Sequence, residues 1–114
     1  MKDQSVYLRH ILRCIGRIQE YTSGGREAFL ASPLLQDATL RNLQTMAEST
    51  QRLDESLRAK HSSVAWQALA GFRNVLVHDY LGIDLERVWD SVENHLPGLL
   101  TAVESLLRRG EDSR

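Results

Sequence analysis

Residues 71 to 82, GFRNVLVHDYLG, crowd Arg73, Asn74, His78, Asp79 and Tyr80 into a run whose other members are apolar or glycine. Each polar type has a chemistry. An imidazole moves protons near neutral pH. A guanidinium stays charged, and its planar fork matches phosphate oxygens. Asparagine can orient a ring or a phosphate, Asp79 can fix the tautomer of His78, and Tyr80 offers a phenolic hydroxyl. Together they suit cleavage of an RNA phosphodiester without metal. A 2′-hydroxyl would attack the adjacent phosphorus, His78 would shuttle the protons, and Arg73 would hold the developing negative charge.

Spacing limits this chemistry. A helix turns about 100° per residue, so Asn74 and His78 share a face, as do Arg73 and Tyr80. Arg73 and His78, five apart, point roughly 140° away from each other on a straight helix. Two arrangements would bring them together. The helix could end near His78 and let the chain swing back toward Gly82, or two copies could meet across a two-fold axis and line one cleft. The second also covers apolar surface on a small domain. A purely structural reading of the cluster stands beside both, because the last turn of a helix welcomes cations.

The elements that must carry these residues read as helices throughout. Leu8, Ile11, Leu12, Ile15 and Ile18 recur every three or four residues between Gln4 and Tyr21, and Thr22-Ser23-Gly24-Gly25 closes that helix. A short helical turn is expected at 26–31. Ser32-Pro33 then starts a long helix, with serine as cap and proline at the first position. Leu35, Leu40, Leu43, Met46, Ala47, Leu53 and Leu57 carry it to about Lys60. His61-Ser62-Ser63 breaks the pattern and supplies a capping serine for a third helix over 64–78. Gly82 stops it, and Asp84 caps a fourth helix, bent or restarted at Pro97. The expected fold is all-α, an up-and-down bundle of four main helices plus the short one, forming a single domain over 1–110 with a frayed tail at 111–114.

Composition narrows the partners. The chain has 114 residues, with 14 basic against 15 acidic and a formal net charge of −1. That balance disfavours nucleic-acid binding driven by overall charge, so an RNA would need a local basic patch. One cysteine, Cys14, excludes an internal disulfide and a cysteine-based zinc site, and packs most simply as a small buried hydrophobe. The charged N-terminal stretch and the lack of a membrane-length apolar run point to a soluble cytoplasmic protein. Arg9, Arg13 and Arg17 form a basic stripe on the first helix, either simply solvated or turned to RNA or an acidic partner. Arg58, Lys60 and His61 could widen a basic area, while Arg108 and Arg109 complement the last helix dipole. His10 and His95 read as surface histidines, Trp66 and Trp89 as core or dimer contacts, and Gly24-Gly25 as a turn.

Arg73 to Tyr80 also has the form R-x4-H-x-Y, with asparagine after the arginine. In this it resembles the signature of the HEPN superfamily, specifically the HepT-type toxins of HepT/MntA toxin–antitoxin systems. The likeness runs on through YTSGGREAFLAS at 21–32, QDATLRNLQTMAES at 36–49, the Trp66 region and GIDLERVWDSVENHLPGLL at 82–100. It covers nearly the whole chain in order, with no departure from the motif.

The resemblance implies an all-α homodimer with a composite cleft and metal-independent endoribonuclease activity, needing no cofactor. Arg73 and His78 would be catalytic, with Asn74 and Asp79 supporting them. A cognate MntA-like minimal nucleotidyltransferase antitoxin would attach AMP to Tyr80, in a type VII-like system. The added phosphate beside a phosphate-binding arginine would repel RNA. The alternative is a non-catalytic nucleotide-binding or scaffold partner of such an enzyme.

Overall fold

A computed structural model describes residues 3–73 and 82–112. Among these the chain is all-α, with no strand. Its helices are α1 (Ser5–Tyr21), α2 (Arg26–Ala31), α3 (Pro33–Arg52), α4 (Glu55–Ala59), α5 (Trp66–Ala70), α6 (Leu85–Asn94) and α7 (Leu96–Asp112). A single 3-10 turn, Gly71–Arg73, continues α5.

The core forms where α1 packs on both α3 and α7. From α1 it takes Leu8, Ile11, Cys14, Ile15 and Ile18; of the apolar stripe of the sequence, Leu12 is only half-buried against this core and Cys14 joins it. Leu40, Leu43, Met46 and Ala47 of α3 meet them, as do Leu99, Ala102, Val103 and Leu106 of α7. On α3 the buried stripe widens to include Thr39, Asn42, Ser49 and Thr50. Local bonds satisfy part of that polarity, with the Thr50 hydroxyl donating to Ala47 O at 2.7 Å and Asn42 Nδ2 to Ala38 O at 2.9 Å.

Several boundaries fall where their residue types demand. Thr22 closes α1, its hydroxyl donating to Ile18 O at 2.7 Å, and Gly25 takes φ 95°, a conformation that favours glycine. Ser32 caps α3 by accepting from Leu35 N, with Pro33 as the first helical residue. Gln36 then reaches back and donates to the carbonyls of Phe29 and Leu30 at the end of α2, both at 3.0 Å. Asp84 caps α6 through Oδ1, which accepts from Glu86 N and Arg87 N.

Three expected elements are divided differently. The long helix from Pro33 ends at Arg52 because Leu53 and Asp54 turn extended (ψ 142° and 141°), and Asp54 N–H donates to the Gln4 side chain at 2.8 Å. Leu53 and Leu57 keep the i, i+4 spacing across this break, so periodicity alone hides it. The third helix has no serine cap: Ala65 precedes α5, which tightens into the 3-10 turn after five residues, and the expected stretch 74–78 lies outside the described residues. The fourth helix does restart near Pro97, as α6 and α7 meet at His95. Proline has no N–H to bond back to the preceding turn, which favours an interruption there.

Candidate nucleic-acid site

Arg73 ends the 3-10 turn and is exposed, while its neighbour Phe72 is buried. The turn and α5 both pack on α3, so the guanidinium stands on a backbone seated against the bundle frame. A 3-10 turn advances about 120° per residue instead of 100°. The straight α-helical rod assumed in projecting Arg73 away from His78 therefore does not hold at Arg73 itself. Asn74, His78, Asp79 and Tyr80 lie outside the described residues.

Phe72 is also one wall of a groove of about 320 Å³, together with Gly82, Ile83, Asp84, Arg87, Val88 and Ser91. The two ends of the motif-bearing segment, Phe72 and Gly82, thus open onto the same concavity. Among the described residues that line it, Arg87 is the cation. Its side chain is 89% exposed and its Nε lies 3.9 Å from Asp84 Oδ2, a weak pairing that leaves the guanidinium available to an anion. Asp84 uses its other oxygen on the helix N-terminus, so its part here is structural. Arg87 escaped the sequence reading; the signal was an arginine three residues after a helix-capping aspartate, just past the motif.

Helix α2 holds the groove wall in place. Arg26 donates to Glu86 at 2.8 Å, and the Phe29 and Trp89 rings pack with centroids 5.7 Å apart. Trp89 thus serves the core, and so does Trp66, whose indole N–H is shared between His61 O at 3.0 Å and Arg58 O at 3.2 Å.

The other basic residues lie apart from this groove's lining. Arg9, Arg13 and Arg17 are exposed along α1, as expected of a stripe. Around α4 and the turn after it, Lys60 is exposed while Arg58 and His61 are half-buried. His10 differs from its reading as a surface side chain. It is half-buried, with Nδ1 2.6 Å from Ser49 Oγ and Nε2 3.6 Å from Cys14 Sγ. Its partner on α3 stands 39 positions away, beyond the reach of local pattern. Among the described residues no group of three or more His, Cys, Asp or Glu gathers as a metal site, and no helix is long and apolar enough to cross a membrane.

The family model described as ribonuclease HepT-like matches residues 11–106. The chain belongs to this family. A relative from Caldanaerobacter subterraneus subsp. tengcongensis, named "Putative RNase", is 33% identical over 110 residues, covering 96% of this chain and 98% of its own. "Probable ribonuclease HepT" of Thermococcus cleftensis is 30% identical over 101 residues, 88% of this chain and 92% of that one. A Methanocaldococcus jannaschii protein named "Gamma-glutamylcyclotransferase and putative RNase" is 36% identical over 99 residues. The match covers 86% of this chain but only 45% of that longer protein. No solved structure matches this HepT-like chain.

Proposed function

We propose that this HepT-like protein is a metal-independent endoribonuclease and the toxin of a toxin–antitoxin pair. The observation that carries the reading is Arg73, an exposed guanidinium next in sequence to a groove-lining Phe72, in a chain of the ribonuclease HepT-like family. Arg73 stabilises the charge that builds on the phosphate, and His78 moves the protons between the 2′-hydroxyl and the leaving oxygen. Asn74 and Asp79 orient them. Two copies share one cleft, which joins the guanidinium of one protomer to the imidazole of its partner. A nucleotidyltransferase antitoxin silences the site by AMPylation of Tyr80, whose added phosphate competes with RNA for Arg73.

The deciding experiment is cleavage of RNA by the purified protein, wild type against Arg73→Ala and His78→Ala, with and without a strong chelator. Cleavage that survives chelation and vanishes in both variants supports the mechanism; cleavage by either variant at the wild-type rate overturns it. Mixing the two inactive variants tests the shared cleft. If the pair spans two protomers, mixed dimers regain one intact site and part of the activity. Mass spectrometry after co-expression with a nucleotidyltransferase encoded beside it should find AMP on the Tyr80 peptide and none there in Tyr80→Phe.

A further inference from the structure

A second concavity lies apart from the groove lined by Phe72 and Arg87. It opens between the first half of α1 and the last two turns of α3, with a volume of about 480 Å³. Val6, Tyr7, His10 and Arg13 line it from α1; Thr45, Glu48, Ser49 and Arg52 line it from α3. Its charges are two guanidinium groups against one carboxylate, on a chain whose net charge is −1. Neither Arg13 nor Arg52 pairs with a carboxylate among the described residues, and both are exposed.

The floor of this groove is built. Ser49 is 7% exposed, and the 2.6 Å bond to His10 Nδ1 fixes its hydroxyl. His10 is itself held on its other side by Cys14 Sγ at 3.6 Å, and Cys14 in turn by Thr45 Oγ1 at 3.6 Å. With both ring nitrogens engaged, the imidazole serves as a strut. In the tautomer where Nδ1 donates to Ser49, the serine keeps its own O–H to give to a ligand. At the lip, Val6 is 64% exposed and offers apolar surface.

We propose that this groove binds a small phosphorylated organic molecule, with its phosphate between Arg13 and Arg52 and its carbon skeleton along Val6 and Tyr7. Two guanidinium forks and a hydroxyl donor match the several oxygens of a phosphomonoester dianion, whereas a single carboxylate would occupy only one fork. The volume falls in the range of small-ligand sites, about 300–1,000 Å³, far more than bare phosphate needs. Glu48 opposes the anion and sets the affinity below what two arginines alone would give.

Calorimetric titration of the full chain with inorganic phosphate and with ribose 5-phosphate tests the assignment. Ribose 5-phosphate should bind the tighter, because it also covers the apolar lip. Arg13→Gln combined with Arg52→Gln should weaken it at least about tenfold, the scale of one lost charged hydrogen bond. Glu48→Gln, an exposed change that removes only a like charge, should tighten it, and Arg73→Ala should leave it unchanged. Circular dichroism would confirm that each variant is folded. No heat from wild type with either probe overturns the proposal. So does binding that persists in the double variant, is indifferent to Glu48, or disappears with Arg73→Ala. Stronger binding of a single-stranded RNA lost with the same two arginines would instead make the groove an extension of the RNA path.

Discussion

Helices α1 and α5 both show apolar residues at helical spacing, yet they end as very different objects. The first runs 17 residues and buries five side chains; the second runs five residues and buries Leu69 alone before tightening into the turn that carries Arg73. The contrast separates two duties. The α1–α3–α7 frame spends its sequence on burial, and the α5–α6 edge spends it on presenting exposed charge from a backbone held by neighbours. Substitutions should therefore divide by place: those in the frame cost stability, and those at the edge cost chemistry.

The largest stability cost is expected where α2 fastens the two regions together, at Phe29→Ala. The ring is fully buried and is the point where α2 meets Trp89, so its removal should destabilise the fold by about 3–5 kcal/mol in denaturant titration. Under the proposed mechanism, Arg73→Ala should do the reverse. Stability should change by no more than about 0.5 kcal/mol, while RNA cleavage falls at least about 100-fold in single-turnover assays. A collapse of stability instead would place Arg73 in the frame. Asp84→Ala should cost about 1 kcal/mol by unfastening the N-terminus of α6, and Asp84→Asn should recover most of it in the same thermal melts. Smallest of all, Arg26→Ala should cost at most about 1 kcal/mol, since the Arg26 and Glu86 side chains are 51% and 71% exposed. High salt should shrink the difference further.

What could be read from the residue order divides along similar lines. Ser32-Pro33, Asp84 and the α1 stripe were legible because a cap or an amphipathic face is decided within a few residues. The all-α class followed from the same local rules. The break at Leu53 was not legible, because two extended residues there preserve the apolar spacing on either side. The turn from α5 into 3-10 geometry had no local marker beyond Gly71. Within the candidate site, Arg73 is a candidate by type and spacing alone. Its seat against α3 and the shared groove of Phe72 with Arg87 depend on contacts between distant segments. The His10–Ser49 bond is hidden from local pattern for the same reason.

The junction at His95 has a consequence for how this scaffold tolerates length changes. Leu96, Leu99 and Val103 on one side of it belong to the frame, and Val88 and Arg87 on the other belong to the groove. Adding one residue at this joint would rotate α6 by about 100° relative to α7, turning Val88 and Trp89 off the interior together with Arg87. Such a phase error would register twice, as a lower melting temperature and as an arginine facing the wrong way in an activity assay.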